Sequence, residues 1–343
     1  MSKRTLLFLS IAAATGLVAA CGGGGASAPT ATGTTNTNVN GNSGSGTTTP
    51  TTPTAGTLAS PQYAANSPEL AAFQALNSSR QACGFPQLQE NTLLDKAASN
   101  HMNYMVLNYS TGHNETAGLP GFTGVDPLAR AQAVNYGNGG SIFAFEENNV
   151  MIGNLGGALG ITELESGPYH LAGLMLPTNN VGITYQQFTN NPTLTTYTLE
   201  MVMAYTGSPT PVASANSVRT FPCQGTTNVD YESAATESPA PLGIDTGANP
   251  IGTPIAVVGN MGDNVVLNSA SIVNAATSVS AGPVDLLDAA NDTNHDLQPN
   301  TAAVFTTHPL QPNTTYMATI SGTDNGAMFS TQFTFTTGNQ GQF

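Results

Sequence analysis

The stretch VGITYQQFTNNPTLTTYTLEMVMAY, residues 181–205, holds two runs rich in β-branched and aromatic residues, split by Asn190-Asn191-Pro192. Such runs favour extended backbone, and the turn-forming residues between them predict two antiparallel strands. The text before them has a different period. Ser67-Pro68-Glu69 is a helix start, with a capping serine, proline at the first helical position and an acid in the first turn; Leu70, Phe73, Leu76 and Arg80 follow at helical spacing until Gly84 and Pro86. A second helix is predicted from Thr92, with Asp95 closing a capping box and Leu94, Ala97, Ala98, His101 and Met105 on one face. Residues 110–140 read as loop around a short helix that Asp126 caps and Pro127 starts, and Ile161 to Met175 reads as mostly helical. Helices packed on a sheet follow, an α+β or three-layer arrangement over residues 61–227, long enough for a core of its own.

The chain beyond changes texture. A Pro- and Ala-bearing linker, 228–245, precedes short β-type runs (PIAVVG, NVVLNSASIV, TTYMATISG, FSTQFTFTT) that predict a small β-sandwich over 246–338. HPLQPNTTYMATISG followed by FTFTTG resembles the closing hairpin of bacterial immunoglobulin-like domains. That resemblance implies inward packing of Leu310 and Tyr316 and a spacer or adhesive module rather than chemistry. Asp285, Asp288, Asp292 and Asp296 match no EF-hand spacing and read as a solvated acidic loop.

At the other end, Lys3 and Arg4 precede an apolar run from Leu6 to Ala20, the pattern of a secretory signal too short for a stable span. Val18-Ala19-Ala20-Cys21 resembles the lipobox of bacterial lipoproteins. It implies a lipoprotein signal over residues 1–21, cut just before Cys21, which becomes the acylated first residue of the mature chain, attachment to a membrane through that lipid, and a place at the outer membrane or surface of a bacterial cell envelope. Residues 22–60 are Gly, Ser, Thr, Asn and Pro with almost no large apolar side chain, and predict a disordered tether. With Lys3 and Arg4 removed, four cations face 20 acids, so the mature chain carries 4 − 20 = −16 and is no candidate for nucleic acid or anionic lipid surfaces. The two further cysteines, Cys83 and Cys223, are in an exported chain most simply a disulfide; two free thiols or a metal site are the alternative, and no CxxC spacing supports the latter.

Three of the five histidines, His101, His113 and His170, fall in the first domain. Singly, His101 reads as a packed core histidine, His113 as an exposed loop residue and His170 as a helix-start residue. Their order alters that. LNSSRQACGFPQLQENTLLDKAASNHMNYM, STGHNE, GFTGVDPLARAQAVNYG, FEENNV and SGPYHLAGLMLPTNNVGITY, taken together across residues 67–206, resemble the CAP superfamily (SCP-like domains: cysteine-rich secretory proteins, antigen 5, pathogenesis-related proteins). The resemblance implies a CAP-type α-β-α sandwich, a binding scaffold for lipids or sterols in some members, and a cleft lined by two histidines and two acids. His113 matches the family's Gly-His and His170 its later histidine. Glu147 matches the glutamate of Gly-Glu-Asn, with Glu146 in place of the glycine, so either acid could face inward. The fourth position falls on Glu163 or Glu165, and Glu115 reads as a loop residue. The family's tryptophans are absent.

Two imidazoles and a carboxylate, His113, His170 and Glu147, suit a divalent transition metal such as zinc, though no cofactor is required; an imidazole beside a carboxylate also suits a general base. No Ser or Cys stands in an activating context and no GxSxG occurs. The expectation is therefore a non-enzymatic, envelope-anchored binding protein for a small molecule, lipid or metal, with a metal-assisted zinc hydrolase as the rival.

Overall fold

A computed structural model describes residues 54–188, 195–234 and 237–339. The signal, Cys21, most of the tether and the Asn190-Asn191-Pro192 turn lie outside the described residues. The chain is of the α+β class. Helix α1 (Pro68–Ala82) starts as the sequence predicts, the Ser67 hydroxyl accepting from Leu70 N. Strand β1 (Gln89–Glu90) leads into α2 (Thr92–Asn108). The α2 cap corrects the sequence reading: Asn91, one residue earlier, takes the Leu93 and Leu94 amides. Asp95 instead accepts from Ile183 N at 2.9 Å and from the Tyr63 hydroxyl at 2.8 Å, tying the helix to the sheet. The same Asn91 amide donates to Ala55 O and Thr57 Oγ1, so residues 54–60, the end of the predicted tether, are laid onto this domain.

Next come α3 (Pro127–Ala133), capped by Asp126, then β2 (Ile142–Ile152), α4 (Gly157–Ser166), α5 (Pro168–Leu174), β3 (Asn180–Phe188) and β4 (Thr196–Thr206). The first sheet has the order β1-β3-β4-β2, with β3 and β2 antiparallel to β4 and β1 parallel to β3. Alternation along β4 sorts its two faces. Leu199, Met201 and Met203 join a core with α1, α4 and α5, whereas Val202 and Ala204 pack with Leu94, Ala97, Ala98 and Ala131 of α2 and α3. Helices thus cover both faces of one sheet.

The second half contains β5 (Arg219–Phe221), β6 (Thr226–Val229), β7 (Ile255–Val258), β8 (Val265–Asn274), β9 (Val284–Asp288), β10 (Thr301–Thr306), β11 (Thr315–Asp324) and β12 (Ala327–Thr337). They form sheets of order β5-β7-β10-β9 and β6-β12-β11-β8 that share one core, with Leu310 and Tyr316 buried in it. Strand β5 falls within the predicted first domain and β6 straddles its boundary with the predicted linker, yet they pair with β7 and β12. Parts of the predicted linker are packed as well: Ser233 pairs with Ile251, and Glu237 is buried. Between the halves lies α5, giving Leu171 and Leu174 to the first core while Ala172 meets Ile251, Leu287 and Phe305. Cys83 and Cys223 form a disulfide with Cα atoms 5.5 Å apart. It joins the end of α1 to the β5–β6 turn.

The acidic stretch after β9 corrects the solvated-loop reading. Asp288 and Asp292 are buried because their carboxylates satisfy backbone amides: Asp288 takes Ala290 and Asn291 N of the turn and Leu267 N of β8, and Asp292 takes Asn294, Asp296 and Leu297 N.

Candidate functional site

The site is organised by β2. Adjacent residues of a strand face opposite sides of the sheet, so Glu146 and Glu147 cannot share a neighbourhood. Both are buried, each under a different helix layer. Glu146 turns to the α2–α3 side, where Arg130 donates to its Oε2, the His113 Nδ1 lies 3.2 Å from Oε1 and the His101 Nε2 3.4 Å from the same oxygen. Glu147 turns to α5 and pairs with the His170 Nδ1. Close approach there requires Gly173: a Cβ at that position would overlap the Glu147 carboxylate and the Phe145 ring.

His113 sits on the loop between α2 and α3 with its side chain 41% exposed, at the mouth of a cavity of about 90 Å³ that Glu147, His170, Tyr169, Glu237 and Asp296 also line. The structure therefore brings His113, Glu147 and His170 to one cavity. Glu163 and Glu165 do not reach it. Glu163 accepts from Asn149 Nδ2 at 2.6 Å, and Glu165 lines a second cavity against α1. The acids that complete the cleft are Glu237 and Asp296, from the predicted linker and from the second half. Glu237 Oε1 accepts from the Tyr169 and His170 amides, both at 3.0 Å, and so sits on the N-terminus of α5. The loop holding Asp296 is fastened to that helix by the Tyr169 hydroxyl, which donates to Asp292 at 2.6 Å.

Electrostatics follow from this crowding. Burial alone would lower both cleft imidazoles, but nearby carboxylates outweigh it. His170 is raised to about 9 by the charge and hydrogen bond of Glu147, then by Glu237 and Asp296; His113 is raised by Glu146 and Glu147. Burial pushes Glu237 up to about 7, with His170 and the two amides pulling the other way.

Beneath the cleft is a buried network that the sequence reading missed. Glu115, read as a loop residue, has loop backbone but a buried carboxylate, 3.0 Å from the His101 Nδ1 and accepting from the Thr123 and Gly124 amides. Arg130, also buried, donates to His113 O and Glu146. Glu146 is held low, because its hydrogen bond to His113 and the charges of His101 and Arg130 outweigh burial. Glu200 on β4 is fully buried with neither oxygen hydrogen-bonded; burial, then the charge of the nearby Glu146, pushes it well above the carboxylate range. Glu200 was legible as an acid inside an apolar strand, and Arg130 as one of four cations in the mature chain. Nothing in the Pro- and Ala-bearing text around Glu237 marks it.

Comparison with protein-family models and with curated proteins finds no match to this chain. The site is read on its chemistry. Among the described residues, the group of three or more His, Cys, Asp or Glu whose ligand atoms lie within 4.8 Å of one another is His101, Glu146 and Glu200. The set expected from sequence, His113, His170 and Glu147, lines one cavity without forming such a group, because each imidazole is held by a different acid.

Proposed function

We propose that this chain is an exported, lipid-anchored binding protein of a bacterial envelope, a CAP-superfamily α-β-α sandwich followed by an immunoglobulin-like sandwich. Its cleft takes a small cation, with zinc the best chemical fit, and turns over no substrate. The observation that carries this reading is the convergence of His113, Glu147 and His170 on a cavity whose other acids are Glu237 and Asp296. A cavity of about 90 Å³ holds roughly three waters at ~30 Å³ each, which suits a hydrated ion and not a lipid chain. Among the described residues, no Lys or Arg lines it. Rotation of the part-exposed His113 toward the Glu147–His170 pair would complete a His₂-carboxylate set. His170, raised to about 9, carries its proton at neutral pH and must shed it to act either as a metal ligand or as a general base. The lipid anchor rests on residues 1–21.

Elemental analysis of fresh protein, with zinc titration of wild type and the His113→Ala and His170→Ala variants, tests this. Wild type should bind one zinc and each variant about tenfold or more weaker, the loss expected when one element of a metal site's support is removed. Because both imidazoles must shed protons to ligate, affinity should climb steeply from pH 6 to 9. Equally poor binding by all three proteins defeats the proposal. Ester or peptide turnover that depends on His113 and His170 would replace it with the metal-assisted hydrolase.

A further inference from the structure

A larger cavity, about 430 Å³, lies where α1 and α4 meet the β5–β6 segment, well inside the range of roughly 300–1,000 Å³ for small-molecule pockets. Its walls are set by the disulfide, since Ala82 beside Cys83 and Phe221 and Gly225 flanking Cys223 all line it. Two features define what it can hold. The first is a dense set of hydroxyls, including Ser78, Ser79, Thr162 and Thr227, around the single aromatic ring of Phe221. The second is charge: Glu165 and Asp230 line the cavity, and among the described residues no Lys, Arg or His does. The Glu165 carboxyl takes a hydrogen bond from the neighbouring Ser79, and its buried Oε1 has no partner of its own. A buried carboxylate oxygen without a donor is costly and calls for one.

We propose that this cavity binds a small amine-bearing polyol of the amino-sugar class, its ammonium placed between Glu165 and Asp230 and its hydroxyls on the Ser and Thr side chains. This site is separate from the histidine cleft and stands whether or not that cleft binds metal. An ammonium supplies the missing donor and neutralises two acids that oppose each other. The crowding of acids shows in their protonation: burial, with the charge of Asp230 adding to it and the Ser79 hydrogen bond opposing it, pushes Glu165 up to about 7, and burial, with Glu163 and Glu232 adding to it, pushes Asp230 up to about 6. Neutral sugars gain the hydroxyl contacts and lose the charged one, while carboxylated or phosphorylated sugars meet two like charges.

The test is calorimetric titration of the mature chain with glucosamine and with glucose at neutral pH, with amide chemical shifts to locate the contact. Glucosamine should bind saturably, shift the amides of Ala82 and Thr227, and bind at least about tenfold tighter than glucose, as one charge-assisted hydrogen bond implies. Glu165→Gln should erase that tenfold preference and leave glucose binding unchanged; Asp230→Asn serves as the second variant and should reduce it. Circular dichroism checks that each variant folds. Equal affinity for the two sugars, shifts elsewhere, no saturation, or a preference that survives both substitutions overturns the proposal.

Discussion

Glu146 and Glu200 are two buried glutamates on neighbouring strands, and their surroundings assign them opposite charge states. Glu146 faces Arg130, His101 and His113 and is held ionised, whereas Glu200 faces Glu146 itself and is held neutral. Glutamine is close in shape to either, so the Glu→Gln pair separates charge from volume. Glu146→Gln takes from the buried Arg130 the nearer of its two carboxylates, leaving Glu115 at 3.9 Å, and should cost up to about 3–5 kcal/mol in urea denaturation at pH 7. Glu200→Gln replaces an already neutral side chain by another and removes a carboxyl that would have to ionise at higher pH. It should be neutral or slightly stabilising. Comparable losses in the two variants would show that the assignment of charge is wrong.

At the scale of elements, β2 and α5 define the cleft, and they were unequally legible. The strands of residues 181–205 declared themselves through β-branched runs, α1 and α3 through the Ser-Pro and Asp-Pro at their starts, and α2 through its apolar face. FAFEENNVMI did not, because consecutive Glu and Asn on an edge strand break the alternation that marks a half-buried strand. The motif there named the acids but not their faces, and only the register of β2 on β4 resolves them, with Glu146 opposite Val202 and Glu147 opposite Met201. The fourth acid went astray for a related reason. Glu163 and Glu165 precede His170 in sequence, but Gly167 and Pro168 end α4 and start α5 in a new direction, leaving the position to Glu237, 67 residues beyond His170. Contacts of that range leave no local trace. Packing between β2 and α5 depends on Gly173, and Gly173→Ala offers a test: the added Cβ must displace the Glu147 carboxylate or the Phe145 ring. The substitution should cost about 1–3 kcal/mol, the usual penalty of overpacking, and should lower the His170 pKa toward its ordinary value as Glu147 is pushed away. An unchanged His170 titration by NMR would mean that Glu147 does not hold it.

For the whole molecule, the decisive quantity is how many carboxyls are kept protonated by burial in so acidic a chain. Asp95, Glu165 and Glu237 are raised to about 7 and Asp230 to about 6, burial being the first cause in each case. A raised carboxyl binds more protons folded than unfolded, so its penalty is absent below the unfolded value near 4.5 and grows as pH rises through 7. His170 works in the same direction: its stabilisation is complete below the ordinary histidine value near 6.5 and is lost as pH rises through about 9. Glu146, held low, is the opposing case and loses its contribution only in strong acid. The formal net charge of −14 adds self-repulsion as the last carboxyls ionise. These effects share a sign, so thermal stability should peak in mild acid and the melting temperature should be roughly 5–15 °C lower at pH 9 than at pH 6, given about 2–4 °C per kcal/mol for a chain of this size. Scanning at constant ionic strength checks this, with His170→Gln as the control. That variant should lose the upper limb of the decline, above pH 7, and keep the lower limb due to the carboxyls. A melting temperature that is flat or rising from pH 6 to 9 would mean that the buried acids are hydrated or paired in solution, and would remove the basis for treating either cavity as a site waiting for a cation.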